Sequence, residues 1–347
     1  MRWLVVHPGP HFSVQDVYTG WCEGLRANGE TVIEFNLGDR LNAFGFAFIE
    51  DGDGPDGSKR FRKMYSDKQV IDLAMEGLSA VIFQQRPDVL LIVSGFFFTG
   101  ELIEYIRMRG IAVVILHTES PYEDDRQLEI AQYATLNLLN DPVNIEAYEA
   151  LGVPVGYMPH AYRPAVHHPG PSVPDLVSDF AFVGTGYASR RAFFEAMNLD
   201  GLNVLLAGNW QCLEDTDSPL LKHVANGLDT CLDNAKAVDI YRSAAVNINT
   251  YRKEASHPSL VQGIAVGPRE VELAACGAFF LRESRPEGDD LFPMLPVFFT
   301  PEEASDLLRW YLPREDKRQA AAQSARRAIE GRTFTNHAAA LLRRIVP

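Results

Sequence analysis

The stretch from Gly267 to Glu272 holds a glycine, a proline, an arginine and a glutamate at spacings that suit binding of a phosphate. Arg269–Ala275 has the pattern of a short helix, Gly277 stands just past its end, and Ala278–Leu281 reads as a buried strand. Pro268 fits the first helical turn, where its missing N–H costs nothing, and Gly267 lets a ligand approach the backbone. Free N–H groups and the positive dipole end would face an anion, Arg269 would add a fork of donors, and Glu272 would accept from a sugar hydroxyl. The same letters also describe a surface helix carrying an Arg–Glu pair, worth little in itself.

Other residues offer related chemistry. Gly184 and Gly186 follow the predicted strand Phe180–Val183, and Arg190 or Arg191 can neutralise a phosphate brought close to that turn. Ser189 breaks the dinucleotide-binding glycine pattern, so NAD is not expected. Gly208, Asn209 and Trp210 lie at another strand end, where the indole either walls a nucleobase or packs against the sheet. Arg252 meets a phosphate or stands in a solvated loop. His117 and Glu119 form the best acid/base pair, because imidazole titrates near neutrality and a carboxylate can orient it. His7 and His11 lie in a Pro/Gly loop with no third ligand, which favours acceptor contact by His11 over metal binding.

Strands must carry these residues to one place. Strand and helix patterns alternate over the 347 residues, a length suited to two α/β, Rossmann-like doubly wound domains that collect ligands at the carboxyl ends of their strands. The expected division is 1–160, a linker 161–178, a second domain 179–332, and a final helical segment 333–347. Residues 37–63, rich in Gly and Asp, read as a mobile recognition loop or a disordered insertion, and His167 and His168 as solvated. The net charge of −14 disfavours a nucleic-acid surface. The four cysteines are scattered without zinc-ligand spacing, and no apolar run is long enough to span a bilayer, so a cytoplasmic protein with reduced thiols is expected.

The run Arg269-x-x-Glu272-x-x-Ala-Cys276-Gly277-Ala278, taken in order with 182–191, 204–210, 238–249 and 301–312, resembles the CgeB-like glycosyltransferases. That resemblance implies a GT-B fold, two facing domains with the ligand cleft between them, and transfer of a sugar from a nucleotide-diphosphate donor to a protein, glycan or small-molecule acceptor. It implies that the second domain holds the nucleotide with Glu272 on the ribose, that the last segment crosses back to the first domain, and that His160 faces the site. His117 would be the base of an inverting enzyme or a donor-sugar contact of a retaining one. The second glutamate of many retaining enzymes would stand eight positions before Glu272, where this chain has Ile264. No cofactor or metal is expected, since arginines and helix N–H groups would stabilise the leaving diphosphate. A nucleotide-sugar epimerase and a non-catalytic binding protein are the alternatives.

Overall fold

A computed structural model describes residues 1–9, 14–260 and 262–345. By their contacts they divide into two units: Met1–Thr118, Asp125–Leu139 and Ile145–Gly156 form the first, and Glu119–Asp124, Asn140–Asn144 and the chain from Tyr157 form the second. Two short segments that follow strands of the first unit therefore belong, by contact, to the second.

The first unit begins with β1 (Arg2–Val6), α1 (Gln15–Ala27), β2 (Thr31–Phe35), α2 (Leu37–Gly45), β3 (Phe48–Asp53), β4 (Lys59–Lys63) and α3 (Asp67–Gln85). It continues with β5 (Val89–Val93), α4 (Gly100–Met108), β6 (Ala112–His117), α5 (Asp124–Ala131), β7 (Leu136–Leu139), α6 (Ile145–Glu149) and β8 (Val155–Tyr157). Its main sheet has the order β2-β1-β5-β6-β7-β8. Val89–Val93 is buried at every position, as a parallel strand covered on both faces requires. Ser66 and Gln69 exchange side-chain and backbone bonds at the start of α3, a capping box that fixes where the helix begins.

Residues 37–63 differ from expectation. They form a helix and a hairpin, because β3 is acidic and β4 basic: Lys59 pairs with Glu50 and Asp53 at 2.8 Å each. Cross-strand charge pairs supply a preference that the Gly/Asp composition conceals. The polar stretch after His117 likewise contains α5.

The second unit contains β9 (Ser178–Val183), α7 (Ala188–Ala196), β10 (Val204–Ala207), α8 (Asn234–Ser243), β11 (Ala244–Asn249), α9 (Pro268–Ala275), β12 (Phe280–Glu283), α10 (Pro286–Leu291), β13 (Val297–Phe298), α11 (Pro301–Tyr311), α12 (Glu315–Ala328) and α13 (Phe334–Ile345). Its sheet has the order β10-β9-β11-β12-β13 with all pairs parallel. The order reverses between β9 and β11, and the carboxyl ends flanking such a reversal are where doubly wound sheets bind ligands. The final helix, α13, groups with this unit. Tyr162 of the Pro-rich segment bridges to Thr333, and His167 is buried rather than solvated, accepting at Nδ1 from Arg163 N.

Each unit has its own apolar core, around Leu4, Leu90 and Ile115 in the first and Phe180, Phe280 and Leu281 in the second. Leu90→Ala, at a fully buried site in β5, is expected to cost about 2–5 kcal/mol in chemical denaturation, and a loss below 1 kcal/mol would contradict this packing.

Candidate functional site

Two arginines bridge the carboxyl ends of β9 and β11. Arg190, in the first turn of α7, donates from Nη1 to Thr185 O and from Nη2 to Thr250 O, both at 2.9 Å. Arg269, in the first turn of α9, donates from Nε to Val183 O at 2.6 Å and from Nη1 to Asn249 Oδ1 at 2.7 Å. Both guanidinium groups lie over the Phe182 ring, 5.3 and 4.5 Å from its centroid. Arg190 is 7 % exposed, its Nε has no partner, and burial together with the charge of Arg269 pushes its pKa down to about 9. Among the described residues neither arginine has a carboxylate within ion-pair distance. Two neighbouring cations, Arg190 buried and Arg269 half-buried, both bonded to neutral oxygens, make a place that favours an anion.

The glycines serve this arrangement by close packing. A Cβ on Gly184 would stand 2.2 Å from Arg269 Nη2, one on Gly186 2.3 Å from Trp210, and one on Gly208 2.6 Å from Gly184 O. Trp210 is fully buried against Phe182 and Phe194, so it packs rather than walls a nucleobase. Asn209 accepts from Gly186 N at 2.7 Å and from Gln211 N through Oδ1, holding the two strand-end loops together.

The loop that leads into α9 is held by carboxylates, to which the N–H groups of its four successive residues are directed. Ile264 N and Ala265 N donate to Asp141 Oδ2 at 2.9 and 3.0 Å, Val266 N to Glu287 Oε2 at 2.7 Å, and Gly267 N to Glu270 Oε2 at 2.9 Å. Glu270 is fully buried, also accepts from the Tyr251 hydroxyl, and its pKa is raised, chiefly by burial. Glu272 is half-buried and accepts from Tyr241 Oη at 3.2 Å.

Arg252 is not solvated. It pairs with Glu119 at 3.0 Å and Glu123 at 2.7 Å, with its guanidinium 5.0 and 5.5 Å from the rings of Tyr122 and Tyr187. Burial raises the Glu119 pKa, Arg252 opposes that shift, and Glu123 adds to it. His117 differs from the expected ligand-facing base. It is fully buried in the first unit, its Nε2 is 2.8 Å from Asn137 Oδ1, and its ring packs on Tyr148. Buried His7 is bonded to Gln15 and to Gly9 N, while His11 lies outside the described residues.

Sequence reasoning missed Asp141, Glu270 and Glu287. Glu270 carried a local sign, since it stands three residues after Gly267 at the capping-box position. Asp141 and Glu287 act over 123 and 21 residues and leave no local pattern.

The two doubly wound units are those of the GT-B glycosyltransferase fold, and solved structures match the chain throughout. Sucrose-phosphate synthase from Thermosynechococcus elongatus is similar at 12 % identity, with 99 % of both chains covered and a TM-score of 0.67. HepE from Anabaena, in complex with UDP and glucose, is similar at 11 %, with 99 % of both covered and 0.61. A Listeria monocytogenes chain assigned as a UDP-N-acetylglucosamine 2-epimerase is similar at 12 %, covering 99 % of this chain and 94 % of that one, at 0.59. A family model described as "Glycosyl transferase-like" matches residues 190–343, a span that opens at Arg190 and includes Arg269 and Glu272. No curated protein sequence matches the chain.

Gly184→Ala should lower stability by about 1–3 kcal/mol, because the new methyl group displaces Arg269 from Val183 O. Thermal and urea melts of Gly184→Ala, Arg269→Ala and the double variant should show strong non-additivity; simple additivity would mean the two do not meet.

His160, half-buried, has its pKa pushed down to about 3 by burial and by His337, Arg285 and Arg332, and His337 is pushed to about 4 by burial and Arg332. Both are neutral in the fold but gain protons near pH 6.5 once unfolded. Their contribution is therefore complete above that pH and declines as pH falls towards 4. His337→Gln should flatten the loss of stability measured between pH 6.5 and 4, and an unchanged slope would contradict the burial of this pair.

Proposed function

We propose that this protein is a glycosyltransferase of the CgeB-like kind that moves a sugar from a nucleoside-diphosphate donor to an acceptor hydroxyl or amine. The observation that carries this reading is the pair Arg190 and Arg269 at the reversal point of the second sheet, neither of which forms an ion pair with a carboxylate among the described residues. The family match over the same half, and the UDP held by HepE, support a nucleoside diphosphate as the anion.

In this reading the acceptor oxygen or nitrogen bonds to the donor sugar carbon, and the bond from that carbon to the diphosphate oxygen breaks. The electron pair leaves with the nucleoside diphosphate, whose oxygens meet the two guanidinium groups. Glu272 holds the ribose, Gly184, Gly186 and Gly208 set the loops that aim the arginines, and the acceptor proton passes to Glu119, whose proton affinity burial raises. His117 is a positioning residue, since its enclosed ring organises the end of β6. Two fixed cations already oppose the diphosphate charge, so turnover does not require a divalent metal. Among the described residues no helix is long and apolar enough to cross a membrane, in keeping with action outside the bilayer.

Arg269→Ala should weaken UDP binding by roughly ten- to more than a hundredfold in calorimetry carried out in EDTA, the loss of about 1.5–3 kcal/mol expected of a charge-assisted contact. Wild-type affinity in the variant would remove the anion site from this pair. Incubation with a panel of nucleotide sugars separates the chemistries: a transferase gives free nucleoside diphosphate, whereas an epimerase changes the sugar without an acceptor.

A further inference from the structure

The loop that follows β11 places a carboxylate against the start of α7. Glu254 Oε1 accepts from Ser189 N at 2.9 Å, and its Oε2 accepts from Ser189 Oγ at 3.0 Å and from its neighbour Lys253 N at 3.2 Å. Ser189 directly precedes Arg190, and Glu254 is among the groups whose charge acts on that arginine. An internal anion therefore holds the helix start beside the unpaired cations, making the kind of contacts that a phosphate oxygen makes there.

The same loop is tied down at other points. Arg252 Nη1 and Nη2 reach Glu119 and Glu123, Arg252 Nε donates to Glu254 O at 2.5 Å, and Ser256 donates from both N and Oγ to Tyr122 O at 2.9 Å. Residues 252–257 are half-buried or exposed, so the strap is held mainly by these polar bonds and by the Arg252 guanidinium against the Tyr122 and Tyr187 rings. A segment without fully buried residues opens more readily than the core of the unit.

The geometry points to an autoinhibitory strap: residues 252–257 hold the Glu254 carboxylate in the place of a ligand oxyanion, and a phosphate-bearing ligand binds by displacing it. This rests on the reading that the arginine pair receives a diphosphate. Displacement lifts Glu254 from Ser189 and slackens the backbone that carries Arg252, so that the arginine can exchange its two carboxylates for the incoming phosphate. In the closed state the strap shields Arg190 from other anions.

Calorimetric titration of the full chain with UDP and with inorganic pyrophosphate tests the idea in wild type, Glu254→Ala and Glu254→Gln. Removing the competing carboxylate should tighten both probes roughly two- to fivefold, the range set by one charge at an exposed helix start. Equal or weaker binding in both variants, with the wild type binding, overturns the strap and leaves the nucleotide reading standing. Absence of binding by wild type and variants alike overturns the nucleotide reading itself. Hydrogen exchange on the wild type is the second measurement, and it does not depend on the variants folding: saturating UDP should speed amide exchange within 252–257. Slower or unchanged exchange there, with UDP bound, overturns displacement.

Discussion

Holding two arginine side chains, one buried and one half-buried, across the ends of adjacent parallel strands is the constraint on which the second unit is built. A guanidinium removed from water must have its N–H groups matched, and here they are matched by carbonyl and amide oxygens at the ends of β9 and β11. Neutral acceptors satisfy the hydrogen bonds but leave the charge. Phe182 lies beneath both groups, which keeps the cations close despite their repulsion and excludes water from one side. Gly184 and Gly208 follow from this: the chain must pass where a side chain would strike a guanidinium or the neighbouring loop.

The carboxylates are arranged in a complementary way. Asp141, Glu270 and Glu287 satisfy the backbone that leads into α9, so the loop keeps its shape without a ligand. Glu119 and Glu123 hold Arg252. Negative charge thus fixes backbone and a neighbouring arginine, while among the described residues Arg190 and Arg269 have no carboxylate within ion-pair distance. A surplus of acidic residues over the whole chain is compatible with a cationic site because the acids near it are already engaged.

Much of the fold was legible because buried parallel strands write continuous apolar runs and helices write a longer period. The helix read over Arg269–Ala275 is α9, which starts one residue earlier, and its end was marked by Gly277. The hairpin β3–β4 was not legible, because its stabilising pairs are charges on separate strands. The arginines of the site could be picked out from their places after strands and at helix starts. Their partners could not, since Val183, Thr185 and Thr250 contribute only backbone oxygens, which every residue has. His117 misled because a residue at the end of a strand in sequence need not face outward; Asn137 on the next strand and Tyr148 on α6 enclose it.

Glu287 has a consequence for how the chain becomes functional as it is made. Its carboxylate accepts from Val266 N and the Tyr157 hydroxyl and pairs with Arg332, whose carbonyl in turn accepts from Tyr162 N. One side chain thereby joins the segment leading into the second unit, the loop before α9, and the residue that precedes α13. A growing chain can assemble the first sheet early from local strands and crossovers, but the loop at the candidate site has to wait for acceptors encoded after it. The loop before α9 therefore takes its final shape only after Glu287, encoded 21 residues beyond Val266, has been made.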